Sequence, residues 1–252
     1  MSTVDVTAPP VAGRLSRCVR AELRKVRTTR GTRWTLILTA AIWVIVGVGI
    51  SAISVIVDAH EVSIDGALLG MGSAVTVFVP ILAILIIAGD WQTRDVMTVF
   101  ALEPRRDIVF AAKAITAAVV CLALTAAAIV LALVLTTGLA VTTGTAVAWD
   151  LDGASAGLLG WGAAVGTISG IAYGAALQRA PLAIVFSLVQ GFVIDPLLAL
   201  VPDGAGQWFR LSVITDAGST GEHIAPAVVA GVLWLAIPLT IGVVRNRTAD
   251  VQ

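Results

Sequence analysis

The chain has 252 residues, 58% of them hydrophobic and 13% charged, and its 16 basic and 16 acidic residues balance to a formal net charge of zero. A soluble domain carries about 25% charged residues, so the composition excludes an ordinary globular enzyme and points to a membrane. The lipid bilayer is the expected partner, and no nucleic-acid partner is expected.

Residues 1–33 are polar and basic, with arginines at 14, 17, 20, 24, 27, 30 and 33. Within them Leu15, Cys18, Val19, Leu23 and Val26 recur at helical spacing, while most of the arginines point elsewhere. That pattern predicts an amphipathic helix lying in the inner membrane surface. A plain topology anchor would account for the arginines equally well. The first apolar run exceeds the about 7–15 residues of a signal-peptide core, so the segment reads as a retained anchor.

Six apolar runs follow, at 34–57, 67–88, 114–135, 154–177, 181–201 and 224–244, with Pro80 inside the second. Each is long enough to cross a hydrocarbon core of about 30 Å at about 1.5 Å per residue. Residues 114–149 carry no charge, too long a stretch for one upright span and too short for two. The reading is a helix to about Leu135, then a Thr/Gly-rich segment at the outer surface. Cys18 and Cys121 fall in a basic segment and an apolar run, so no disulfide between them is expected.

With six spans both termini lie on one side. Placing that side in the cytoplasm puts every Lys and Arg inside except Arg210, which fixes the orientation by the positive-inside rule. The predicted fold class is an all-α membrane protein with six transmembrane helices and an N-terminal amphipathic elbow helix. Both termini are cytoplasmic, the inner loop is 89–113, the tail is 245–252, and the location is the inner cell membrane.

Four features could carry function. The inner loop mixes charge with Trp91, Val96, Met97, Val99, Phe100 and Leu102. A loop without a partner has little reason to carry so many apolar side chains, so it reads as a protein-docking segment in preference to an amphipathic interfacial one. In the fourth span Gly162, Gly166, Gly170 and Gly174 recur every four residues. This small-xxx-small pattern suits close helix packing, within the bundle in preference to between subunits. Gln190 and Asp195 are the intramembrane polar residues of the fifth span. An acid at a span's centre costs about 2.5–3.5 kcal/mol. Because Pro196 follows, the favoured reading is that Asp195-Pro196 ends the helix at the outer interface, with a substrate or proton contact as the other. Finally, neither of the two lysines stands in a G-x-x-x-x-G-K-[ST] loop, no histidine lies in a span and no metal-ligand cluster is evident. No catalytic residue, metal or cofactor of its own is expected.

The order of basic segment, two spans, a cytoplasmic loop with acid, hydroxyl and Pro-Arg-Arg groups, an Ala-Lys, then four spans resembles the ABC-2 type transporter permease family. The strings are RAELRKVRTTRGTRW before span one, TVFALEPRRDIVFAAK before span three and VIDPLLALVP late in span five. Asp90 matches the family's loop acid, while Arg94 and Asp95 stand where Gly-Thr is usual. The resemblance implies a non-enzymatic permease subunit of a bacterial exporter, with ATP bound by a separate ATP-binding-cassette ATPase. It also implies a second permease subunit, in a homodimer or heterodimer, with spans two and five near the seam. Asp90, Val96, Val99, Phe100, Glu103, Arg105 and Arg106 would couple to the ATPase. A non-transporting membrane scaffold or resistance protein that binds a partner is the alternative.

Overall fold

A computed structural model describes residues 11–57, 61–93, 105–149 and 153–248. They are almost entirely helical: α1 (Val11–Thr28), α2 (Arg30–Val57), α3 (Ile64–Thr93), α4 (Arg106–Thr143), α5 (Gly153–Leu177), α6 (Ala180–Ala199), a short 3-10 helix (Pro202–Phe209), α7 (Ser212–Thr220) and α8 (Ile224–Thr248). Two three-residue strands, β1 (Glu61–Ser63) and β2 (Ala146–Ala148), pair in parallel. Six helices, α2 to α6 and α8, are long and apolar enough to cross a membrane, so the chain is a multi-pass membrane protein. The helix ends around Lys25, Asp90, Arg106, Ala176 and Arg247 meet at one end of the bundle, here the near end. The strand pair, the 3-10 helix and α7 are at the far end.

The spans are not equivalent. In α3 and α5, 61% of the most apolar stretch is buried, against 11–22% in the other four. These two helices form the axis of the bundle, and the rest expose apolar side chains outward, as membrane helices do. The glycine stripe of α5 faces α3. A Cβ at Gly170 would come to 2.5 Å from the Pro80 carbonyl oxygen and 2.6 Å from Ala83 Cβ, and one at Gly174 to 3.1 Å from Ile87. Gly166 meets Pro80 and Gly162 meets Thr76 in the same way. The stripe thus packs within the chain. Leu159, three residues before the stripe, is buried as well.

Three boundaries differ from the sequence reading. First, α4 does not stop near Leu135 but runs 38 residues to Thr143, where Gly144 closes it with φ of 71°. Three of its late threonines bond back along the helix, Thr137 Oγ1 to the Leu133 carbonyl at 2.6 Å and Thr142 and Thr143 Oγ1 to the Leu139 carbonyl at 2.8 Å, which satisfies them without ending it. Second, α3 extends to Thr93 and α4 starts at Arg106. Asp90 and Arg106, expected in a loop, are therefore helical, and the connection shrinks to residues 94–105.

The third difference is in α6. Asp195-Pro196 does not end this helix, and Asp195 keeps helical dihedrals of −61° and −48°. A π-turn at Gln190–Ile194 precedes it, closed by the Asp195 N–H donating to the Gln190 carbonyl. Pro196 lacks an N–H, and its ring would press on the carbonyl four residues back, that of Phe192. The wider turn makes room for the ring, so the helix continues. The same device recurs in α8, where a π-turn at Val232–Ala236 precedes Ile237-Pro238.

Candidate functional site

At the near end the chain's only two lysines meet two acids. Lys113 Nζ donates to Asp90 Oδ2 at 2.7 Å and lies 3.3 Å from Glu22. Lys25 Nζ donates to the same Asp90 oxygen at 2.9 Å and lies 3.5 Å from Glu22. Glu22 and Lys113 are buried. The cluster is neutral as a whole, which is how buried charge is tolerated. Burial alone would lower the Lys25 pKa, but its hydrogen bond to Asp90 and the Glu22 carboxylate outweigh it and hold Lys25 above its ordinary 10.5.

The cluster ties α1 to the end of α3 and the start of α4, on both sides of residues 94–104. Beside it, Arg106 donates to the Asn246 and Arg247 carbonyls at 3.4 and 3.3 Å, where the last turn of α8 has no helical partners. Arg247 pairs with Asp107 at 2.9 Å. Of the residues assigned to coupling, the structure thus brings Asp90 and Arg106 into the near-end framework. Arg105 sits at the N-cap of α4. Val96, Val99, Phe100 and Glu103 lie outside the described residues.

Sequence reading missed Glu22, Lys25 and Lys113 as a unit. The signal was present. Glu22 is the only acid in the basic lead from 11 to 33, and two lysines stand among fourteen arginines.

Toward the far end lies a cavity of about 440 Å³ between α3, α5, α6 and α7. Its wall is mainly apolar, with Leu68, Pro80, Val165 and Phe192, and it takes polar groups from Ser169, Gln190, Asp195, Ser212 and Asp216. The π-turn decides which face of α6 reaches it. In a regular α-helix, residues five apart differ by about 140° around the axis. The π-turn makes that five-residue step roughly one turn. Gln190 and Asp195 therefore share a face, and both line the cavity.

Asp195 is buried, and its carboxylate is engaged. Oδ1 accepts from the Leu211 N–H at 2.6 Å and the Ser212 N–H at 3.3 Å, which caps α7 from another helix. Oδ2 lies 3.5 Å from Arg210 Nε. Among the described residues, the one basic residue outside the arginine-rich end thus faces the one acid inside span five. Gln190 is 2% exposed and its Nε2 has no hydrogen-bond partner among the described residues, nor has Ser212 Oγ. Burial pushes the Asp216 carboxyl above its ordinary 3.8, and Asp195 adds to the push, while Arg210 and His223 oppose it.

No group of three or more metal-ligating residues occurs among the described residues. No protein-family model matches the chain, and no curated protein matches it.

Proposed function

We propose that the chain is the membrane-spanning permease subunit of an ATP-binding-cassette exporter of the ABC-2 type, driven by a separate ATPase at its near end. The observation that carries the reading is the Glu22–Lys25–Asp90–Lys113 cluster. It makes α1, α3 and α4 one mechanical unit around the 94–104 segment, so a force applied to that segment moves two spans and the amphipathic helix together. The near end then lies in the cytoplasm with both termini, as the arginine bias requires, and α1 serves as the elbow helix. Of the two spans that the family would put at a permease–permease seam, α3 is covered by the chain's own helices, while α6 keeps an apolar face with Leu182, Val185, Val189 and Leu197 exposed. That face of α6 is the one offered to a second subunit.

The test is co-purification in mild detergent from the native host. The wild-type chain should bring down an ATP-binding-cassette ATPase, and Phe100→Ala combined with Val96→Asp should lose it while still inserting in the membrane. Truncating a buried anchor at an interface costs about 2 kcal/mol or more. Recovery of the ATPase at normal yield by the double variant, or its absence from the wild-type preparation, overturns the reading.

A further inference from the structure

We propose that the cavity between α3, α5, α6 and α7 binds a lipophilic organic cation that also carries a hydrogen-bond acceptor. The acceptor is called for by Gln190. Gln190 lines the cavity, and its amide nitrogen is buried without a partner among the described residues, an arrangement that is unfavourable until something accepts from it. The π-turn that precedes Pro196 puts this residue on the face of α6 that lines the cavity. The empty donor is thus a consequence of built backbone geometry, as is common where π-turns serve a site.

The sign of the ligand follows from the charge count. Asp195 and Asp216 line the cavity, and Arg210 is the arginine that faces them. By formal charge, two carboxylates stand against one guanidinium and leave one negative charge over. In surroundings this apolar a surplus charge of one sign favours a ligand of the other and rejects one of its own. Leu68, Val165 and Phe192 supply the surface for an apolar body, and Leu69 and Phe192, 44% and 64% exposed, stand where the cavity meets the outside of the chain. A volume of about 440 Å³ falls in the range of small-molecule sites.

The inference concerns binding by this chain alone, so its test needs no ATPase and can fail independently of the export reading. The purified chain in phosphatidylcholine nanodiscs is titrated with lauroylcholine, which has a quaternary ammonium, an ester acceptor and an apolar tail, and empty nanodiscs provide the baseline. Dodecyltrimethylammonium lacks the acceptor and laurate inverts the charge. Saturable binding in the order lauroylcholine, dodecyltrimethylammonium, laurate is expected. Gln190→Leu should weaken lauroylcholine about fivefold to tenfold, the worth of one buried hydrogen bond, and leave dodecyltrimethylammonium unchanged. Asp216→Asn should weaken both cations. Ser73→Phe, at an exposed lining position, should block all binding without disturbing the buried wall, and it decides the matter if Gln190→Leu does not fold. Laurate binding as tightly as lauroylcholine, unchanged affinity in Gln190→Leu, or full binding by Ser73→Phe overturns the proposal.

Discussion

Lys113 and Asp90 form a 2.7 Å ion pair across the connection between α3 and α4, with Lys113 at only 9% side-chain exposure. The pair is the centre of a four-residue arrangement in which each acid serves both lysines. Removing one partner of a buried pair leaves an uncompensated charge, which costs about 3–5 kcal/mol. Lys113→Met should therefore lower the melting temperature in detergent strongly. Lys25→Met, at 37% side-chain exposure, should cost far less, because exposed pairs contribute about 0–1 kcal/mol. Equal losses from the two variants would show that the cluster does not hold the near end together.

Close packing of α5 on α3 is tested by the smallest added group. Gly170→Ala puts a methyl against the Pro80 backbone, which cannot swing away, and should destabilise by about 1–3 kcal/mol. Gly160→Ala, ten residues earlier on the same helix with nothing within 4 Å of the added carbon, should be neutral or mildly stabilising, since alanine favours a helix. Comparable melting curves for the two would remove the packing argument.

Asp195 holds the start of α7 through two backbone N–H groups. Asp195→Ala should speed amide hydrogen exchange at Leu211 and Ser212 and along the first turn of α7, with little change in α3. Asp195→Asn keeps an acceptor oxygen but loses the attraction for Arg210, so its exchange should be intermediate. Unchanged exchange at Leu211 in the alanine variant would refute the capping role.

The raised Asp216 pKa has a definite sign. The folded chain binds this proton more tightly than the unfolded chain, so the stability gained is fully present below about 3.8 and is lost as pH rises through the raised value. Asp216→Asn removes the dependence. The melting temperature of the wild type relative to this variant should fall across that window, and a difference that stays flat or rises with pH contradicts the assignment.

Orientation is accessible to labelling in a background with Cys18 and Cys121 replaced. A cysteine at the exposed position Thr220 should react with an impermeant thiol reagent on intact cells, and one at Thr248 should react only after lysis. Labelling at 248 in intact cells would invert the bundle.

The spans were legible because apolar runs of membrane length are bounded by charge, and the glycine stripe because its four-residue repeat needs no knowledge of the partner helix. What could not be read was continuity of backbone. Pro196 follows an acid late in a span and reads as a stop, whereas a widened turn absorbs it. The threonines after Leu135 read as a surface segment, whereas Thr137, Thr142 and Thr143 bond to their own helix. The far-end cavity was equally hidden, because Gln190 and Asp195 come to one face only once that turn is formed. The charge cluster depends on three helices converging, so the lone acid at 22 and the two lysines single out its members in the sequence without saying that they meet.

The length of α4 has a mechanical meaning. Its 38 residues span about 57 Å, nearly twice the about 30 Å of a hydrocarbon core, and no proline interrupts them. One end is pinned by Lys113 to α1 and α3. The other passes through Gly144 into a strand paired with Glu61–Ser63, just before α3 begins. Such a rod grips the same neighbour, α3, at opposite ends of the bundle. A tilt imposed at one end should therefore reappear at the other as a change in how α3 leaves the strand pair.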